Sequence, residues 1–211
     1  MNLPLQHRPV RTLASTSPRR DLALHFEPAP VEGAWLIQGI ARGDARGSFA
    51  RMFCAEEFAA RGLETAFAQA NTSISRRRHT LRGLHYQLPP SAEAKLVRCT
   101  SGALFDVVAD LRPDSPSFGA WFGAELSAAN GRMLYVPRGC AHGFLTLQDD
   151  TAALYLVSDA YAPALERGVR FDDPRFGIAW PAVPEEISAK DATWPDFDPE
   201  QRGNETRHGL A

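Results

Sequence analysis

From residue 34 onward the chain reads as short runs of alternating apolar and polar positions, separated by glycine, proline, asparagine or aspartate. "AWLIQGIA", "TAFAQANTSIS", "TLRGLHYQL", "AKLVRCTSG", "ALFDVVADLR", "GAWFGAELS", "RMLYVP", "HGFLTLQD" and "AALYLVSDAY" are such runs. Period two puts successive side chains on opposite faces of a strand. Strands recurring every 8 to 12 residues or so predict an all-β sandwich or barrel. "AEEFAARG" is the best helix, acidic at its start, with arginine near its end and glycine at its stop. The glycines of "GDARGSFARMF" suit a turn or bulge, and Asn130–Gly131 predicts a hairpin. "DDPRFGIAWPAVPEEISAKD" is Pro-rich and predicts an outer wrap of loop and short helix. Residues 1–22 and 198–211 lack the apolar periodicity that would offset the entropy of ordering them. The expected domain is therefore residues 23–197, between an N-terminal extension and a polar tail.

Composition narrows the class. A chain of 211 residues with 44% hydrophobic content supports one sizeable core. A net charge of −2 gives no reason to expect nucleic acid or an anionic membrane as partner. No apolar run approaches the ~18 residues of a transmembrane helix, and the N-terminus has no apolar signal region. Three cysteines, Cys54, Cys99 and Cys140, show no paired spacing, which points to a reducing, cytoplasmic setting. Cys140 reads more readily as a small buried thiol than as a reactive one.

The strands carry costly polar groups. In "LRGLHYQL" simple alternation puts His85 and Gln87 on the face of Gly83, and Arg82, Leu84 and Tyr86 on the other. Asp106 and Asp110 share a face with Leu104 and Val108, His142 with Phe144, and Tyr155 with Ala153 and Val157. Taken singly, a strand histidine is ordinarily a surface or satisfied core residue, and a strand tyrosine is ordinarily packing. So many such groups between Arg82 and Tyr155 point instead to a ligand cavity inside a β-barrel.

Double-stranded β-helix (cupin) barrels fit this pattern. Their second motif runs Gly, five residues, Pro-x-Gly, two residues, His, and is matched by Gly131, Pro137, Gly139 and His142. Their first motif normally supplies a His-x-His metal pair, but His85–Tyr86–Gln87 lacks the second histidine. A 2-His-1-carboxylate set of His85, His142 and Asp106 is the remaining metal alternative; the expectation is no metal and no cofactor.

In order along the chain, "LRGLHYQ", "KLVR…G…DV…DLR…S" and "PRGCAHGF" resemble the dTDP-4-dehydrorhamnose 3,5-epimerase (RmlC-like cupin) family. The likeness runs over residues 25–192, including "DARGSFARMF" and "YLVSDAYAPALERGVRFDDPRFGIAWP". It implies a cupin jelly roll with short flanking helices, a homodimer that exchanges strands, and a nucleotide-diphosphate 4-keto-6-deoxyhexose as substrate. The reaction implied is metal-free removal of a proton next to the ketone and its return on the opposite face.

Transferred residue by residue, the resemblance makes His85 the base, Tyr155 the opposing acid, Lys95 the enolate-side cation and Asp191 the partner of the base. Read from the residues alone, Asp106 competes with Asp191 for His85 or else pairs with His142. Arg82 and His142 would line the sugar site; Arg46, Gln69, Asn71, Tyr161 and Lys190 resemble substrate-binding positions, mainly at the phosphates and nucleotide. Two departures fall at the nucleotide end: the family's "RGFFFE" reads "RGSFAR", with Arg51 in place of a glutamate, and "QDNHS" reads "QANTS". Inversion at one carbon only, ketoisomerisation, and a non-catalytic sugar-binding cupin remain the alternatives.

Overall fold

A computed structural model describes residues 23–200. The N-terminal extension and all but residues 198–200 of the polar tail lie outside the described residues. In chain order the elements are β1 (Leu24–Pro28), β2 (Trp35–Gly39), β3 (Arg42–Asp44), β4 (Gly47–Phe49), helix α1 (Ala55–Ala59), β5 (Gln69–Ser75), β6 (Thr80–Gln87) and β7 (Lys95–Ser101). They continue with β8 (Ala103–Asp110), β9 (Trp121–Ser127), β10 (Arg132–Val136), β11 (Cys140–Thr146) and β12 (Thr151–Val157). A 3₁₀ turn at Pro163–Leu165, β13 (Glu166–Gly168), β14 (Glu186–Ile187) and helix α2 (Ala189–Ala192) complete the domain.

Two sheets face each other in a jelly roll. One has the order β1-β2-β10-β7-β12-β5; the other runs β13-β6-β11-β8-β9, with β14 added to β6. The pairings are antiparallel except β14 on β6, which is parallel. Between the sheets lies a core of Val97, Cys99, Leu134, Val136 and Ala153 from one side and Leu104, Val108, Leu126 and Phe144 from the other. Each sheet is also covered on its outer face. Leu84, Val107, Ala109 and Ala141 pack under Val169, just after β13, and Phe176 of the Pro-rich wrap. Ile37, Leu96 and Met133 pack under Phe58 of α1. Strands buried on both faces lose the clean alternation of a half-wet sheet, which explains why β10 and β11 read as nearly continuous apolar runs.

The sequence reading needs three corrections here. β1 precedes the first expected strand. Asn130–Gly131 does not close a hairpin: β9 pairs with β8, and β10 pairs with β2 and β7, so this turn carries the chain from one sheet to the other. Its turn chemistry is as expected, with Gly131 at φ +62° and Asn130 Oδ1 accepting the N–H groups of Ser127 and Arg132. Only the partner strands differ, because a turn type does not encode which strands it joins. The third correction concerns β6. His142 pairs with His85 and Phe144 with Arg82, so two steps on β11 oppose three on β6. This register shift puts Arg82 and His85 on one face, where strict alternation had separated them.

Candidate active site

Pairing register assembles the first wall. Tyr155 of β12 stands opposite Val97 of β7 and Asn71 of β5; Val157 stands opposite Lys95 and Gln69. Directly paired residues point the same way, so Gln69, Asn71, Lys95, Tyr155 and Val157 all face the barrel interior. The second wall carries Arg82 and His85 of β6 with His142 and Phe144 of β11. Between the walls lies a cleft with two lobes of about 460 Å³ and 290 Å³ that share His85, Lys95 and Tyr155. The larger lobe is lined further by Gln69, Asn71, Gln87, Glu93, Tyr161 and Glu166. The smaller is lined by Ser73, Arg82, His142, Phe144, Ser188, Lys190 and Asp191.

The chain places a carboxylate behind His85 from 106 residues away. Ser188 caps α2, its hydroxyl accepting the N–H of Asp191. Asp191 is thereby held against β6, where Oδ2 accepts the Gly83 N–H at 3.2 Å and Oδ1 lies 2.6 Å from His85 Nε2. Burial pushes the Asp191 carboxyl up, but the His85 hydrogen bond and charge, the Gly83 N–H and Ser188 outweigh it, and the group ends below the usual range. An ionised Asp191 accepts from Nε2–H and leaves Nδ1 as the basic nitrogen. Trp194 sits edge-on to the imidazole, with ring centroids 6.4 Å apart.

Burial raises the Tyr155 phenol, and the negative charge of Glu93 raises it further, with Arg82 opposing. Tyr155 therefore holds its proton at neutral pH. Lys95 Nζ is 3.0 Å from Glu93 Oε1 and donates to the His85 carbonyl at 3.4 Å. Arg82 is aimed by Ser75 Oγ at 3.1 Å and the Ile74 carbonyl at 3.3 Å. At the outer end, Tyr161 donates its hydroxyl to Glu166, which also pairs with Lys190 at 2.6 Å.

His142 Nε2 lies 2.8 Å from Asp106 Oδ1, inside the core. The two aspartates that competed for His85 are thus divided between two histidines. His85, His142 and Asp106 do not converge as three ligands, and no group of three His, Cys, Asp or Glu side chains among the described residues could hold a metal ion. Cys140 is buried at the barrel wall, its thiol pushed up to about 12 by burial.

Ten of the eleven expected site residues line the cleft: His85, Lys95, Tyr155, Asp191, Gln69, Asn71, Arg82, His142, Tyr161 and Lys190. Arg46 does not. It lies in the β3–β4 turn, with 90% of its side chain exposed and its guanidinium on Asp44 at 2.5 Å. Glu93 and Glu166 were not anticipated. Glu93 carried a signal, since it stands two positions before Lys95 and so on the same side of an extended chain. Glu166 carried none, because its place depends on β13 docking against β6.

Comparison with known proteins agrees with this architecture. The family model described as dTDP-4-dehydrorhamnose 3,5-epimerase matches residues 28–199. The chain is 43% identical to the dTDP-4-dehydrorhamnose 3,5-epimerase of Sinorhizobium fredii over 175 residues, covering 82% of this chain and 90% of that one. The Bacillus anthracis enzyme of the same name, solved with TDP and PPi bound, superposes with TM-score 0.80 at 38% identity and covers 83% of this chain and 100% of its own. A 3'-monoepimerase from Streptomyces bikiniensis, solved with dTDP-quinovose, gives TM-score 0.75 at 38% identity and covers 87% of this chain and 90% of its own. With the facing sheets, the shared cleft and a match across nearly all described residues, the chain belongs to the dTDP-4-dehydrorhamnose 3,5-epimerase family.

Proposed function

We propose that this protein epimerises a nucleotide-diphosphate 4-keto-6-deoxyhexose, of the dTDP-4-dehydro-6-deoxyglucose type, at the carbons flanking the ketone. The observation that carries the reading is the placement of His85 and Tyr155 on opposite walls of one cleft, with Lys95 reaching into the same space. The 4-keto group acidifies the C3–H and C5–H bonds. His85 Nδ1 takes one such proton, and the electron pair moves onto the carbonyl oxygen as an enolate. Lys95 stabilises that oxyanion; a preorganised donor of this kind is worth about 3–4 kcal/mol. Tyr155 then delivers its proton to the same carbon from the other face. Asp191 holds the imidazole in the tautomer the first step needs and stabilises the imidazolium that results.

Gln69, Asn71, Tyr161 and Lys190 serve the nucleotide and phosphate end, and Arg82 and His142 the sugar. Arg46 fits this scheme through a homodimer that exchanges strands. Among the described residues β3 and β4 form a two-stranded sheet of their own, and Phe49 of β4 is 63% exposed, so the hairpin presents an apolar face that would cover a second copy's cleft. Light scattering that returned a monomer would remove this part of the proposal. The enzyme's expected setting is the cytoplasm.

The test is incubation with several nucleotide 4-keto-6-deoxyhexoses in heavy water. Mass gain with inverted product is expected for the dTDP sugar, and no exchange with any of them would end the proposal. A second reading, inversion at one carbon only, draws on the likeness to the 3'-monoepimerase. A gain of two deuterons supports double inversion and a gain of one supports the single-site reading.

A further inference from the structure

Glu93 stands at the junction of three parts of the cleft. It lies in the connection between β6 and β7, and its side chain is 10% exposed. Oε1 is 3.0 Å from Lys95 Nζ, whose side chain is itself only 9% exposed. Oε2 accepts from Gln87 Nε2 at 2.6 Å. Gln87 is tied in turn to the carbonyls of Ser91 and Ala160 and accepts the Ala162 N–H at 2.6 Å. The backbone on its C-terminal side is clamped just beyond β12: Ala94 donates to Ser158 Oγ at 2.9 Å and accepts the Ser158 N–H at 3.0 Å. Both carboxylate oxygens are therefore held, and the neighbouring residue is anchored.

An ammonium buried this far is costly unless it is paired and hydrogen-bonded. Apart from Glu93, the Lys95 ammonium has among the described residues a single long hydrogen bond, to the His85 carbonyl at 3.4 Å. The geometry points to Glu93 as a positioning residue that fixes the Lys95 ammonium, through one arm of its carboxylate, at the place where negative charge develops. This rests on the epimerase reading and deepens it: the oxyanion-stabilising cation is one end of a Gln87–Glu93–Lys95 relay. The fixed negative charge also helps keep the Tyr155 phenol protonated, after burial and against Arg82.

Two measurements test this, one of them independent of turnover. E93Q keeps the shape and the Gln87 contact but removes the charge. It is expected to lower kcat by about 10- to 100-fold, less than outright loss of a stabilising donor, with KM changed less than about threefold. In a K95M background the same change is expected to leave kcat within about twofold, because the two residues act as a unit. Without substrate, limiting acetic anhydride followed by peptide mapping is expected to label Lys95 several-fold faster in E93Q, since a side chain no longer held by its buried carboxylate is presented to the reagent more often. E93D keeps the charge on a shorter arm, guards against a folding defect, and is expected to fall between wild type and E93Q in both readouts. Unchanged Lys95 labelling in E93Q overturns the assignment even if no substrate is turned over. So does an equal loss of kcat with and without Lys95. An inactive wild type whose Lys95 labelling still responds to E93Q counts against the epimerase reading and leaves the relay standing.

Discussion

Two histidine–aspartate pairs occupy this barrel, and they differ in every respect except chemistry. His85–Asp191 joins a strand to a helix near the end of the domain, with the histidine side chain 30% exposed in the cleft. His142–Asp106 joins adjacent strands β11 and β8 and is nearly dry, at 8% and 0% exposure. Asp191 has each oxygen satisfied, one by the imidazole and one by the Gly83 N–H. Asp106 uses Oδ1 on His142, and its buried Oδ2 has no hydrogen-bond partner among the described residues. A base must exchange its proton with solvent every cycle, so the half-wet pair suits proton transfer, whereas the dry pair suits a fixed wall. In the proposed mechanism the same two side chains take different roles because of water access and of what holds the carboxylate.

The contrast is sharpest on deletion of each imidazole. His85→Ala is expected to reduce α-proton exchange by about 10²–10⁴-fold, the usual worth of a general base. His142→Ala, measured by the same deuterium uptake, is expected to keep exchange within about tenfold and to act mainly on KM. Comparable losses in both would erase the distinction. Tyr155→Phe comes next: product inversion is expected to fall further than exchange, because His85 can still take and return its own proton. Equal losses, by NMR of the product against mass gain, would argue against an acid on the opposite face.

Stability separates the pairs in the other direction. Asp106→Leu leaves His142 buried without a partner and is expected to cost about 1–3 kcal/mol in urea denaturation. Asp191→Asn, at the wetter pair, is expected to cost less stability and more kcat. The smallest effect is on pH. The Asp191 carboxyl sits below its ordinary value of 3.8, with burial opposing and His85 the main lowering cause. A lowered carboxyl stabilises the fold above its unfolded pKa, and that stability is lost as pH falls through the folded value. The stability gap between wild type and Asp191→Asn should therefore hold from about pH 7 to about pH 5 and close below the ordinary carboxylate pKa, in denaturant titrations at fixed salt. A gap that widened toward acid would reverse the sign assigned to this group.

Much of the fold was legible locally. Alternating or continuous apolar runs bounded by turn residues marked β2 and the strands from β5 to β12, acidic and glycine punctuation marked α1, and prolines marked the wrap, because each is a property of neighbouring residues. The expected cleft residues came from motif resemblance, and all but Arg46 fall in one cavity. Glu166 stayed hidden because it enters the cleft through a late strand docking on an early one. β1 is as long as β2 and β10, but its brief alternation runs straight into Pro28 and Pro30.

By itself the sequence determined the period of the chain, the turn chemistry at Asn130–Gly131, and an inventory of imidazole, phenol, ammonium and carboxylate groups inside a β-rich segment. Those are set by one residue and its neighbours. Only the tertiary structure decided which aspartate serves which histidine, that Arg82 and His85 share a wall, that Asn130–Gly131 joins two sheets, and that Glu93 grips Lys95. The physical reason is register. One shifted pair between β6 and β11 reverses the facing of every residue beyond it, and that shift is held by hydrogen bonds to a strand about 60 positions downstream, which no local pattern encodes.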